Sequence, residues 1–136
     1  MYPQNHILIG ILFSLMIFPI FGIIPAIVAF LSSFLIDFDH YTSYVFQNKS
    51  KRDFSLKKAF DWHVKRIWEK QKVKPFTFFH FVEILFIIFF IGIKIEIFLY
   101  VFLGFAIHIP FDIYYEIKLR KFRLEKYSLL FYLFNK

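Results

Sequence analysis

Residues 7–36 run for 30 positions without a charged side chain. As one helix this run would be about 45 Å long, well beyond a hydrocarbon core of about 30 Å. Pro19, Gly22 and Pro25 cluster in its middle. The pattern therefore predicts two helices, about 4–18 and 24–38, joined by a tight turn at about 18–22. Residues 41–75 change character, holding ten of the seventeen Lys/Arg and only three acids. Leu56, Phe60, Val64 and Ile67 recur there at helical spacing, with Trp62 and Trp68 nearby and Lys57, Lys58, Lys65, Arg66 and Lys70 at other positions. That is the pattern of an amphipathic helix lying on a membrane surface, within a basic interfacial insert at about 45–75. Residues 76–93 are apolar again apart from His80 and Glu83, then Gly92, Lys94 and Glu96 interrupt. A last apolar block, 97–115, carries His108, Pro110 and Asp112. One helix across both blocks would be about 60 Å long, so a second hairpin is expected, with helices at about 77–93 and 96–116. A basic tail, 117–136, ends in an apolar run at 129–134 and is expected at the interface. The expected fold is an all-α membrane protein forming one domain over 1–136. It would comprise two short transmembrane helical hairpins, four helices in all, plus a basic amphipathic interfacial helix.

Composition strengthens the membrane reading. Hydrophobic residues make up 59% of the 136 positions and 23 are Phe, more than a water-soluble core of this size would bury. Mean hydropathy is +0.58. The absence of cysteine excludes disulfides and thiolate metal sites. The start lacks a basic segment before its apolar run and a small-residue cleavage site after it, so it does not resemble a cleaved signal peptide. Net charge is +7, with sixteen of the seventeen Lys/Arg in the 41–75 loop or after residue 115. The positive-inside rule then predicts a multi-pass cell-membrane protein with loop 41–75 and the C-terminus cytoplasmic. The Lys/Arg of 49–74 would contact anionic headgroups, and nucleic acid is the less favoured partner.

In the two-hairpin arrangement the polar side chains gather at one end. His6 opens the first helix, Asp37, Asp39 and His40 close the second, His80 and Glu83 open the third, and His108 and Asp112 close the fourth. Ionisable residues at membrane depth are costly and mark functional sites or pair with one another. Four histidines and four acids without thiolate form a divalent-metal ligand set. His108 and Asp112 are i, i+4; His80 and Glu83, and Asp37 and His40, are i, i+3, so each pair shares a helix face. Asp39 falls off that face unless the helix unwinds at its end. His63, beside Trp62 in the basic loop, reads as a surface residue.

These residues resemble the small membrane-bound metal-dependent hydrolases of the inner-membrane YdjM-like type. The resemblance rests on His6, on Asp37-Phe38-Asp39-His40, on His80, and on the H-x-x-x-D of His108 and Asp112 four residues after Gly104. It spans about residues 6–115 but not the basic insert. Ile36 stands where the family usually has Pro, and Phe79 and Phe81 where it often has Thr and Ser. The resemblance implies a hydrolase class more than a substrate.

The function expected on these grounds is a membrane-embedded metal-dependent hydrolase acting at the cytoplasmic membrane surface on a lipid or phosphoester-type substrate. His6, Asp37, Asp39, His40, His80, Glu83, His108 and Asp112 are the candidate ligands of a divalent metal, with zinc the expected ion. Glu83 or Asp39 is the candidate general base, and activated water the nucleophile. Two other readings are a non-catalytic metal-binding membrane protein and a membrane-anchored interaction protein built on the basic insert and tail.

Overall fold

A computed structural model describes residues 3–48, 54–119 and 121–134. The basic positions Lys49, Lys51, Arg52, Arg120 and Lys136 lie outside them. The described residues are mostly helical, with no strand among them: α1 Pro3–Phe21, α2 Ile23–Leu35, α3 Phe38–Gln47, α4 Leu56–Val64, α5 Ile67–Lys70, α6 Val82–Lys94, α7 Ile97–Lys118 and α8 Leu129–Phe134. Two short 3-10 turns, Phe78–His80 and Leu124–Lys126, precede α6 and α8. Three helical stretches are long and apolar enough to cross a membrane: Gln4–Phe21, Ile23–Gln47 and Ile97–Lys118. This fits a membrane location. At 13 residues, α6 is about 20 Å long and falls short of that length.

The long charge-free run divides at Gly22 alone, whose φ of +89° is a backbone conformation that L side chains rarely adopt. Pro19 stays inside α1. Pro25 falls in the first turn of α2, where a missing N–H costs nothing. At the end of the run α2 gives way to α3 less abruptly. At 36–37 the ladder tightens, with Asp37 N bonding Phe34 O and Asp39 N bonding Ile36 O, before α3 resumes. This local unwinding rotates Asp37, Asp39 and His40 relative to α2.

The central packing is of α2 between α1 and α7, with α6 against α7. Small residues set the α2–α7 approach. A Cβ added at Gly104 would lie 2.5 Å from Ala29 O and 2.9 Å from Ser33 N, backbone atoms that cannot step aside. Close helix approach through small residues is the usual means of association where the surrounding solvent is as apolar as the side chains. Large side chains such as Leu8, Leu15, Met16, Ile20 and Phe90 point outward, as a lipid-facing surface requires.

The basic insert departs from a single amphipathic helix. Ser55 Oγ caps the start of α4 by accepting from Lys58 N. The helix then stops at Lys65, because Arg66 adopts a left-handed conformation with φ 51° and ψ 41°. Leu56, Phe60 and Val64 do share one exposed face of α4, at 70%, 37% and 40% exposure. Ile67 is on α5 instead and packs with Trp62, Trp68 and Tyr44. The tail folds back: Val82 N, opening α6, bonds Tyr127 O at 2.8 Å.

Gly104→Ala is expected to destabilise the fold by about 1–3 kcal/mol through overpacking. A lowered thermal midpoint in detergent would register it, and an unchanged midpoint would refute the tight α2–α7 contact.

Candidate metal centre

Six of the eight ligand candidates meet in space. Asp37 and Asp112 stand between two stacked pairs of imidazoles, His6 with His108 at 4.0 Å between centroids and His40 with His80 at 4.6 Å. Two four-residue ligand groups result, His6–Asp37–His108–Asp112 and Asp37–His40–His80–Asp112. In each group the ligand atoms lie within 4.8 Å of one another, and both carboxylates belong to both groups.

The individual distances describe a focus. His6 Nε2 is 3.2 Å from Asp112 Oδ1, and His108 Nε2 is 3.3 Å from Asp112 Oδ2 and 3.5 Å from Asp37 Oδ1. His80 Nε2 is 3.6 Å from Asp112 Oδ2, and His40 Nε2 is 3.5 Å from Asp37 Oδ1. The Nε2 atoms of His6, His80 and His108 are buried and make no hydrogen bond. A buried polar atom without a partner costs about 1–3 kcal/mol, so three aimed at one place need a common cause. A divalent cation fits that requirement: imidazole nitrogen and carboxylate oxygen are suitable donors, and the two acids supply compensating charge.

The fold holds these rings from behind. His108 Nδ1–H donates to Ser33 O at 2.6 Å, a bond made short by the α2–α7 approach at Gly104. His80 Nδ1–H donates to Asp39 Oδ2 at 3.1 Å. Both bonds select the tautomer whose Nε2 lone pair faces the carboxylates. Asp39 therefore stands behind the ligands and belongs to neither group. Its Oδ2 also accepts from Phe79 N at 3.0 Å, tying the 3-10 turn before α6 to α3. Its Oδ1 lies 3.6 Å from His40 Nδ1.

Glu83 is placed elsewhere. Its carboxylate accepts from Ser128 Oγ at 2.6 Å, Leu129 N at 2.9 Å and Leu130 N at 3.4 Å, capping α8. The i, i+3 spacing from His80 predicts a shared face only if one helix spans both residues. His80 instead closes a 3-10 turn and α6 begins at Val82, so the phase is lost.

Two features escaped the sequence pattern. His63, expected at the surface, is half-buried with its ring 4.3 Å from that of His40, and its Nε2–H donates to His40 O at 2.8 Å. Burial holds its imidazole down from 6.5 to about 3, against the raising effect of that bond, so it stays neutral at physiological pH. The Ser33 contact is made by backbone and leaves no residue-type signal. α7 continues past Asp112 to Lys118, two residues beyond the expected end at about 116.

The centre opens on one side. Asp37 and His40, at 27% and 29% side-chain exposure, face a cavity of about 550 Å³ that His80 and Asp112 also line. The remaining ligands are buried.

No family model matches the chain, and no curated protein or solved structure shows significant similarity to it.

Asp39→Asn is expected to weaken metal affinity about 10–100-fold without changing the number of ions bound, the usual effect of losing a supporting carboxylate. A chelator-competition titration measures this, and unchanged affinity would place Asp39 outside the centre's support. Glu83→Gln is expected to leave metal content intact while amide exchange at 129–130 accelerates. A drop in bound metal would instead connect Glu83 to the centre.

Proposed function

We propose that the chain is a membrane-embedded metal-dependent hydrolase that acts at the cytoplasmic membrane surface on a lipid or phosphoester-type substrate. The observation that carries the reading is the pair of ligand groups sharing Asp37 and Asp112. Shared carboxylates suit two adjacent divalent ions, which in two-metal hydrolases lie about 3.5–4 Å apart. His6 and His108 would hold one ion and His40 and His80 the other. The His/carboxylate set without thiolate suits zinc. Bound there, such ions supply an acidified water and a Lewis acid for the scissile oxygen.

The protein's own groups do the rest. Ser33 O and Asp39 fix the ligand rings of His108 and His80. Buried α1 and α7 ligands close one side against water, while Asp37 and His40 leave the other side open to the cavity. The resemblance to YdjM-like membrane hydrolases in the D-x-D-H and H-x-x-x-D positions supports the same class. The proposed topology has two hairpins, α1–α2 and α6–α7, with α6 as a short fourth helix. The Lys/Arg bias of the insert and tail supports their cytoplasmic placement, which puts the centre at that face.

Purified protein is expected to carry two divalent ions per chain and to hydrolyse members of a phosphomonoester and phosphodiester lipid panel. His108→Ala/Asp112→Ala is expected to lose both the metal and the activity. Equal, negligible metal in the two proteins would overturn the reading. Tight metal with no turnover on the panel would return the non-catalytic alternative.

A further inference from the structure

The cavity beside the centre has walls of two opposed chemistries, contributed largely by different parts of the chain. One wall is apolar and comes from the end of α2, the start of α3 and α4: Leu35, Phe38, Leu56, Phe60 and Val64 all line it and all are exposed. The other is cationic and comes from the insert's second turn and the tail: Arg66, Lys121 and Lys126 line it, with Glu116 as the acid among them. The floor between the walls is Asp37, His40, His80 and Asp112.

Both walls are built features. Arg66, Arg123 and Lys126 surround the buried ring of Trp68 at 5.0, 5.5 and 5.4 Å from its centroid. This gathers cations from segments some 60 residues apart into one patch. Arg66 Nη1–H also donates to Lys121 O at 3.3 Å, joining α5 to the tail. Glu69 and Glu116 pair with Arg66 and Lys126. Arg66 and Lys121 continue into an adjoining shallow depression with Lys65 and Arg123. On the other side, the same α4 that buries Ala59 and Trp62 against Tyr44 carries the exposed Leu56, Phe60 and Val64 beside the cavity. Exposed apolar side chains on a segment with Lys57 and Lys58 suit contact with lipid.

We infer that the cavity binds a phosphate-bearing lipid, its phosphate between the ligand cluster and Arg66, Lys121 and Lys126, and the start of its hydrocarbon chain along the Leu56–Phe60–Val64 face. The inference rests on the hydrolase reading for the placement of the reacting bond at the metal ligands, but the recognition itself rests on the two walls. The phosphate's negative charge matches the cationic wall, and a guanidinium with two ammonium groups serves phosphate oxygens directly. The volume falls within the range of about 300–1,000 Å³ that holds a small ligand, so the distal part of the chain would leave between α2 and α4 for the bilayer. A free phosphate or a short water-soluble ester would use only one wall.

The test measures binding to the metal-supplemented full chain in neutral detergent micelles. The probes are a long-chain lipid phosphate, its uncharged alcohol of equal length, and glycerol phosphate. The lipid phosphate is expected to bind at least about tenfold more tightly than either of the other two, since one such factor corresponds to about 1.4 kcal/mol. Arg66→Gln/Lys121→Gln is expected to abolish the preference over the alcohol. Leu56→Ser/Phe60→Ser is expected to abolish the preference over glycerol phosphate. Both variants should retain wild-type metal content, which shows that they fold. Equal binding of lipid phosphate and alcohol, or of lipid phosphate and glycerol phosphate, would overturn the inference, as would unchanged preferences in both variants. Metal content separates this failure from that of the hydrolase reading: a chain without metal removes the hydrolase, while a metal-loaded chain indifferent to lipid phosphate removes only the lipid site.

Discussion

Two carboxylates, Asp37 and Asp112, organise this molecule. Each lies among imidazoles contributed by α1, α3, α7 and the turn before α6. Ionisable groups at such depth are tolerated only when compensated, and here every compensating group arrives on a separate element. The demand for compensation explains why the α2–α3 junction unwinds and why the 3-10 turn at Phe78–His80 interrupts an otherwise apolar block. It also explains why α1 begins beside α7. If any one of those elements moved by a few ångströms, the six side chains would no longer meet in the two groups that could hold a metal ion.

The apolar part of the fold serves that convergence. Gly104, Ala29 and Ser33 let α7 and α2 approach until backbone atoms nearly touch, and the same approach brings His108 Nδ1 within reach of Ser33 O. Packing between helices and the tautomer of a ligand ring are thus one geometric fact. Asp39 plays the matching part on the other side, tying α3 to the turn that carries His80. The outer surface of the helices, rich in exposed Leu, Ile and Phe, is left for the bilayer.

Over this frame the insert and tail form a second layer. Trp62, Trp68 and Tyr44 give the insert its own small core, and Glu83 fastens the tail by capping α8. The layer brings a cationic wall and the Leu56–Phe60–Val64 part of an apolar wall to the open side of the candidate metal centre.

What the sequence by itself determined follows from patterns that act locally. Charge-free runs specified apolar helices, the Pro19, Gly22 and Pro25 cluster marked their division to within a few residues, and His108 with Asp112 shared a face because four residues make about one turn. Helix phase failed where the helix stopped: Glu83 left the ligand group because His80 lies on a 3-10 turn, and Ile67 left the α4 face because Arg66 turns left-handed. The tertiary structure alone decided the contacts made across segments or by backbone. Asp39 stands behind His80 instead of among the ligands, His63 supports His40, and Ser33 O orients His108. No residue-type pattern encodes these, since they depend on how closely α2 and α7 approach and on which ends of the helices coincide.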